Sequence, residues 1–210
     1  YVTDTSNIRR SQRYLRRIGI YWPLVPPPLA LAPLPERVSA LRERLATLGE
    51  PPYRGLTWRG GTPPREQRGV IWALYKEIGI EPLAASLKAT RGTWIALQRN
   101  PLAGEIELFT RTLGRQVHDL TALNEDLEDM LALLAVLDDY IGVSNTNMHL
   151  RASVGKTARV LVPCPAEWRW MSAGSISPWF PGFNIYRQSP DGSWTDALSV
   201  LAHDLVKNIA

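Results

Sequence analysis

One cysteine, three histidines, three methionines and three phenylalanines in 210 residues leave little material for several kinds of site. With Cys164 alone, no internal disulfide can form, and such usage fits a cytoplasmic setting with the thiol buried. His118, His149 and His203 are widely spread along the chain and compose no structural zinc site, so no metal is expected. A run of about 18 apolar residues is missing, as is the basic-then-apolar order of a signal peptide, so the chain reads as soluble with no transmembrane segment.

Charge of one sign is also scarce once it is located. The formal net charge is +4, and residues 1–20 account for all of it through Arg9, Arg10, Arg13, Arg16 and Arg17 against Asp4. The balanced remainder argues against a broad nucleic-acid footprint. The leader suits a helix with Ile8, Leu15 and Ile18 on one side; it reads as a solvated face, with a nucleic-acid or membrane arm as the other reading. Because the sequence opens at Tyr1 without methionine, a fragment of a larger protein is expected.

What is present is a 45% hydrophobic chain, enough for one substantial core. Six prolines between Pro23 and Pro35 mark a semi-rigid linker. A helix follows from Glu36 to about Leu48, with Gly49 as its stop. Strands are expected at Tyr53–Trp58, Thr93–Gln98, Gln116–Leu120, Asp139–Val143 and Ala158–Val162, with a last one at Phe183–Arg187. Between them fall helical patterns: Gln67 to about Lys88 interrupted near Gly79 and Pro82, Glu105–Leu113, a helix capped by Asn124 with a buried stripe of Leu127, Met130, Leu131, Leu134 and Leu137, and a short helix from about Asn147 to Gly155. A closing helix runs from about Trp194 to Val206. The fold class is α/β: a Rossmann-like, doubly wound, mainly parallel sheet flanked by helices, with an N-terminal helical and proline-rich extension. Residues 1–52 form that extension and 53–210 the nucleotide-binding domain.

The most informative segment is Ser144-Asn145-Thr146-Asn147-Met148-His149-Leu150, between an apolar strand and a helix. Ligands of open α/β sheets bind outside the carboxyl ends of the strands, where this turn must lie. Backbone N–H groups at the helix start, with small polar side chains and one histidine, suit an anion such as a phosphate. The bland alternative makes Thr146 or Asn147 an ordinary N-cap and His149 a packed ring.

Several segments together resemble the C-terminal half of bacterial glycosyltransferase-like proteins, often joined to tetratricopeptide repeats: Leu137-Asp138-Asp139-Tyr140, the Ser144–Leu150 run, Glu167-Trp168-Arg169-Trp170 and Ser177-Pro178-Trp179-Phe180-Pro181-Gly182. More distantly they resemble the heptosyltransferases of lipopolysaccharide synthesis and the O-linked N-acetylglucosamine transferases. Trp58-Arg59-Gly60-Gly61-Thr62 and Leu97-Gln98 extend the likeness across residues 53–206. The resemblance implies two Rossmann-like domains facing across a cleft, the C-terminal one binding a nucleotide-diphosphate sugar as substrate, with no cofactor and no obligatory metal. It also implies that the acceptor-side domain, which often supplies the general base, lies outside this chain, which alone would bind a donor without turning it over. One departure stands out: heptosyltransferases usually carry an aspartate and then a threonine where this sequence has Ser144 and Asn145.

On this reading Ser144, Asn145, Thr146, Asn147 and His149 cradle the donor diphosphate, and His149 is the candidate catalytic group, hydrogen-bonded to a phosphate oxygen. Arg59, with Gly60 and Gly61 letting the backbone come close, grips phosphate from the first strand. Gln98 meets a ribose or base edge, and the Asp119–Thr121 segment, with Leu120 at its centre, borders the base. Each of these also admits a structural reading as a turn or strand terminus. Asp138-Asp139 reads as a helix end meeting a strand start. Trp168, Trp170 and Trp179 either stack on sugar or pin a long loop, and Glu167 is an acid or base candidate whose alternative is a pair with Arg169 or Arg187. Two other functional classes compete: a non-catalytic nucleotide-sensing or scaffold module, and an unrelated dinucleotide-binding domain. The latter lacks its Gly-x-Gly-x-x-Gly after the first strand.

Overall fold

The computed structural model describes residues 29–62, 66 and 75–207. The expected leader helix, most of the proline linker and the first part of the 67–88 helical zone lie outside the described residues.

Six parallel strands form the main sheet: β1 (Tyr53–Thr57), β4 (Thr93–Ala96), β5 (Val117–Asp119), β6 (Asp139–Val143), β7 (Arg159–Val162) and β8 (Asn184–Arg187). Their spatial order is β5-β4-β1-β6-β7-β8, so the chain builds outward from β1 on one side and then from β6 on the other. The carboxyl ends of β1 and β6 therefore flank the point where the winding reverses, the usual ligand crevice of such sheets. Two short strands, β2 (Arg59–Gly60) and β3 (Lys76–Glu77), pair antiparallel above this point.

Strand side chains alternate between two cores. Ile95, Tyr140, Val160 and Val162 face one; Trp94, Ala96, Ile141, Val143 and Leu161 face the other. The first core is covered by α1 (Pro35–Leu48), α4 (Leu127–Val136) and α5 (Thr146–Ser153), the second by α2 (Ile80–Ser86), α3 (Glu105–Leu113) and α6 (Thr195–Lys207). In α1, Leu41 and Leu45 belong to the first core, and Arg37 bonds Asp126 and Asp129 at 2.8 and 2.7 Å. The boundary expected after residue 52 thus falls between a helix and the core it packs on.

Four local expectations are corrected. Lys76–Glu77 is strand rather than helix, because its backbone pairs with Arg59–Gly60, and the described helix begins only at Ile80. Asp126, not Asn124, caps α4: its carboxylate accepts from the Glu128 and Asp129 N–H groups, while residues 121–125 wind into a 3-10 turn. Leu127 is 62% exposed and stands outside the buried stripe that Met130, Leu131 and Leu134 form. Cys164 is exposed rather than buried, in the loop that leaves β7.

Two contacts set how closely the elements meet near the crevice. A Cβ on Gly142 would sit 2.0 Å from Thr57 Oγ1, so only glycine lets β6 lie against β1 there. Arg151, buried inside the fold, ties α5 to the end of α4 by donating to the carbonyls of Leu134, of Leu137 at 2.8 Å and of Asp138 at 3.2 Å. Burial pulls its pKa down to about 10.

Candidate functional site

A cleft of about 970 Å³ opens at the carboxyl ends of β1, β4 and β6. Thr57, Arg59, Gly60, Gly61, Gln98, Ser144, Asn145, Thr146, Asn147 and His149 all line it, so the structure brings together every candidate except Leu120. Leu120 is buried in the first core, and its N–H donates to Ala96 O at 3.2 Å, which continues the β4–β5 ladder.

The floor is a closed ring of hydrogen bonds. Asn145 Nδ2 donates to Thr57 Oγ1 at 2.9 Å, Thr57 Oγ1 and Tyr140 Oη lie 2.9 Å apart, and Tyr140 Oη donates to Asn145 Oδ1 at 3.1 Å. With Thr57 donating to Tyr140, every member gives and receives once, an arrangement in which each bond strengthens the next. Burial pushes the Tyr140 hydroxyl up to about 12, so it stays protonated and able to donate. Asn145 Oδ1 also accepts the Asn147 N–H at 2.9 Å, which makes Asn145 the cap of α5. The expectation of Thr146 or Asn147 as cap is corrected by one or two residues. Thr146 is left exposed at the positive end of the helix, while Asn147 is buried and its Nδ2 reaches Asn124 Oδ1 at 3.4 Å.

On the β1 wall, polar groups are already engaged. The Arg59 guanidinium forms a forked pair with Glu105, including Nη2 to Oε2 at 2.8 Å, and donates to Asn100 O at 3.2 Å. Glu105 in turn accepts the Leu102 N–H at 2.8 Å, and these contacts hold its carboxyl below the usual range despite burial. Gln98 Oε1 accepts from the N–H groups of both Trp58 and Arg59, at 3.0 and 2.8 Å, and its Nε2 donates to Arg99 O at 3.0 Å. Arg59 and Gln98 are thus clamps on the turn that follows β1. A Cβ on Gly60 would meet Ser144 O at 2.8 Å, so glycine here lets the turn after β1 lie against the Ser144 turn.

The opposite wall is α5 and the loop after β7. Lys76 Nζ donates to Glu167 Oε1 at 2.8 Å, so Glu167 pairs with a lysine from β3 and not with Arg169 or Arg187. Burial opposes the charge on Glu167, but Lys76, the facing Ser144 hydroxyl and Arg169 outweigh it and hold the carboxyl below its ordinary value. Arg169 Nη1 stands 2.7 Å from His149 Nε2. A guanidinium can only donate, so Nε2 accepts and the ring is neutral with its proton on Nδ1. Burial and the Arg169 charge both lower the His149 pKa. The ring is also held edge-on to Phe180, with centroids 5.1 Å apart.

The loop that carries Glu167 and Arg169 is fixed from behind. Trp170 is fully buried and stacked on Phe180 at 4.5 Å, and Arg187 donates to the carbonyls of Trp170, Met171, Ala173 and Gly174. Trp170 therefore pins the loop, whereas Trp168 is 49% exposed and meets Trp179 edge-on at 4.9 Å. Within this fixed wall Arg169 Nε is buried without a hydrogen-bond partner, and Ser144 Oγ and Glu167 Oε2, on side chains that face each other, are buried short of hydrogen-bond geometry. Buried polar atoms normally find a partner, so their clustering on cleft-lining residues marks a site with unspent bonding capacity.

Lys76, Glu167 and Arg169 line the cleft. Lys76 and Arg169 were not legible as site residues; the signal available for Arg169 was its place inside the Glu167–Trp170 motif. Asp138 and Asp139 lie at the far edge of the sheet, Asp138 accepting the Tyr53 N–H at 2.7 Å, as a helix end meeting a strand start should. Among the described residues no three histidine, cysteine or acidic side chains are grouped to hold a metal ion, and no helix is long and apolar enough to cross a membrane.

No family model matches the chain. Protein FlbA of Caulobacter vibrioides is 26% identical over 175 residues, covering 82% of this chain and 28% of that protein. Two solved structures share the fold. The ADP-heptose lps heptosyltransferase II of E. coli superposes with a TM-score of 0.58 at 14% identity, over 92% of this chain and 57% of that one. A glycosyl transferase family 9 protein of Veillonella parvula gives 0.56 at 13% identity, over 83% and 47%. The likeness establishes the α/β Rossmann-like fold. The chain spans little more than a quarter of the curated relative and about half of each solved structure.

Proposed function

We propose that the cleft at the Ser144 turn binds the diphosphate of a nucleotide-diphosphate sugar, and that this chain is the donor-binding half of a glycosyltransferase acting on an acceptor held by another domain. The observation that carries the reading is the convergence on one wall of Lys76, Arg169 and the start of α5 around a single carboxylate, at the reversal of the sheet. Two neighbouring solved folds bear transferase names, which supports the same class.

As the bond between the anomeric carbon and the diphosphate breaks, negative charge builds on the leaving phosphate oxygens. Lys76, Arg169 and the helix N-terminus supply positive potential there, so the reading needs no metal. His149, neutral because Arg169 occupies Nε2, offers its Nδ1 proton as a fixed donor to the leaving group. The general base and the acceptor come from the missing acceptor-side domain, and tetratricopeptide repeats belong to the same proposal, as does a bacterial cytoplasmic setting. A second reading, a non-catalytic nucleotide-binding or scaffold module, is favoured by Ser144 standing where heptosyltransferases carry a carboxylate and by the engagement of Arg59 with Glu105.

Calorimetric titration with UDP, GDP, ADP and CDP tests the site. Saturable binding of one of them, weakened about tenfold or more by His149→Ala, is expected from the loss of a charge-assisted hydrogen bond. Absence of binding by all four would remove the donor reading and leave the scaffold.

A further inference from the structure

A second cleft, of about 570 Å³, opens at the amino-terminal edge of the sheet, away from the Ser144 turn, and Arg54, Arg91, Asp139, Arg159 and Asn184 are among its walls. Arg54 on β1 and Arg159 on β7 flank Asp139 on β6, and each arginine is only 6% exposed. They share one carboxylate oxygen: Asp139 Oδ2 accepts Arg159 Nε at 2.8 Å and Arg54 Nη1 at 3.3 Å, while Oδ1 accepts the Tyr140 N–H at 2.9 Å. Arg54 Nε donates to Arg91 O and Arg159 Nη1 to Tyr186 Oη, both at 2.9 Å.

Those contacts leave one nitrogen on each guanidinium. Neither Arg54 Nη2 nor Arg159 Nη2 has an acceptor among the described residues, and both arginines line the cleft. Asp138, the other carboxylate here, is turned to the Tyr53 N–H. With Arg91 exposed on the rim, three guanidinium groups face two carboxylates, which leaves positive charge in excess inside a partly dry recess. Burial brings Arg54 below its ordinary value against the pull of Asp139, while the same carboxylate holds Arg159 above its own.

We infer that this amino-edge cleft is a second anion site that takes a phosphoryl group, free or carried on a small sugar, between the open Nη2 groups of Arg54 and Arg159. A phosphate supplies the missing acceptors and the missing charge together, and guanidinium geometry suits it. The site is independent of the donor reading, because it shares no wall with the other cleft.

The test is titration of the full chain with inorganic phosphate and with ribose 5-phosphate at constant ionic strength, read by calorimetry. Arg91→Glu combined with Asn184→Asp changes only exposed rim residues, which spares the fold, whereas Lys76→Gln disturbs the opposite edge. The expected result is saturable binding that weakens about tenfold or more in the rim variant and persists in Lys76→Gln. Tighter binding of ribose 5-phosphate identifies a carried phosphoryl group, and equal or tighter binding of phosphate a free one. No saturable binding of either, equal binding in the rim variant, or loss only in Lys76→Gln would overturn the inference.

Discussion

The two walls of the carboxyl-edge cleft are built from similar residues and used in opposite ways. On the β1 wall, Arg59, Glu105 and Gln98 spend their hydrogen bonds on one another and on backbone groups. On the α5 wall, Arg169 keeps a buried atom without a partner, and Ser144 and Glu167 face each other with buried atoms short of hydrogen-bond geometry. An arginine beside a glycine turn is therefore no better a ligand candidate than one in an aromatic loop until its partners are known. What separates binding from bracing is the bonding capacity left over after the fold is satisfied.

That contrast can be broken from either side. The largest effect is expected from Trp170→Ala, which removes the ring that fixes the α5-side loop; a loss of about 3–5 kcal/mol of stability, read by urea denaturation, accompanies it. Arg59→Met should cost about 3 kcal/mol by leaving Glu105 unpaired, while the nucleotide affinity of the folded fraction changes little. Equal losses of affinity and stability would erase the distinction between the walls. Lys76→Gln acts on the other wall: it should weaken nucleoside diphosphate binding about tenfold in calorimetry, with a smaller stability loss than Arg59→Met.

The same substitution sharpens the pH dependence. Glu167 sits below its ordinary value of 4.5 in the fold, so its stabilising contribution is present above that value and fades as pH falls through the folded pKa. Without Lys76 that fading should begin at higher pH in acid unfolding curves. The smallest effect concerns His149, whose pKa lies below its ordinary 6.5. Its neutral form is favoured by folding, so its contribution is complete above 6.5 and is lost as pH drops through the folded value. In Arg169→Gln the histidine pKa followed by proton NMR should move upward toward 6.5.

Much of the fold was readable because the signals were periodic. Trp94-Ile95-Ala96-Leu97 and Val160-Leu161-Val162 alternate between two cores in a way that only a sheet covered on both faces requires. Lys76–Glu77 was not readable as a strand, since two residues carry no period and the pairing with Arg59–Gly60 is tertiary. The sequence pointed to Asn124 as the cap, but residues 121–125 wind into a 3-10 turn that no periodicity announces, and the helix is capped by Asp126 instead. The Ser144 turn was legible because strand, turn and helix are contiguous there. Lys76 and Glu167 were not legible as a pair, because 91 residues separate partners that the fold brings to 2.8 Å.

The measurement that tests the central claim most directly is amide chemical-shift mapping of the isotope-labelled chain titrated with a nucleoside diphosphate. The account predicts the largest shifts at residues 144–149 and at Trp168 and Arg169, with Arg59 and Gln98 moving little. Largest shifts at Arg59–Gly61 and Gln98, or none in the cleft, would contradict it.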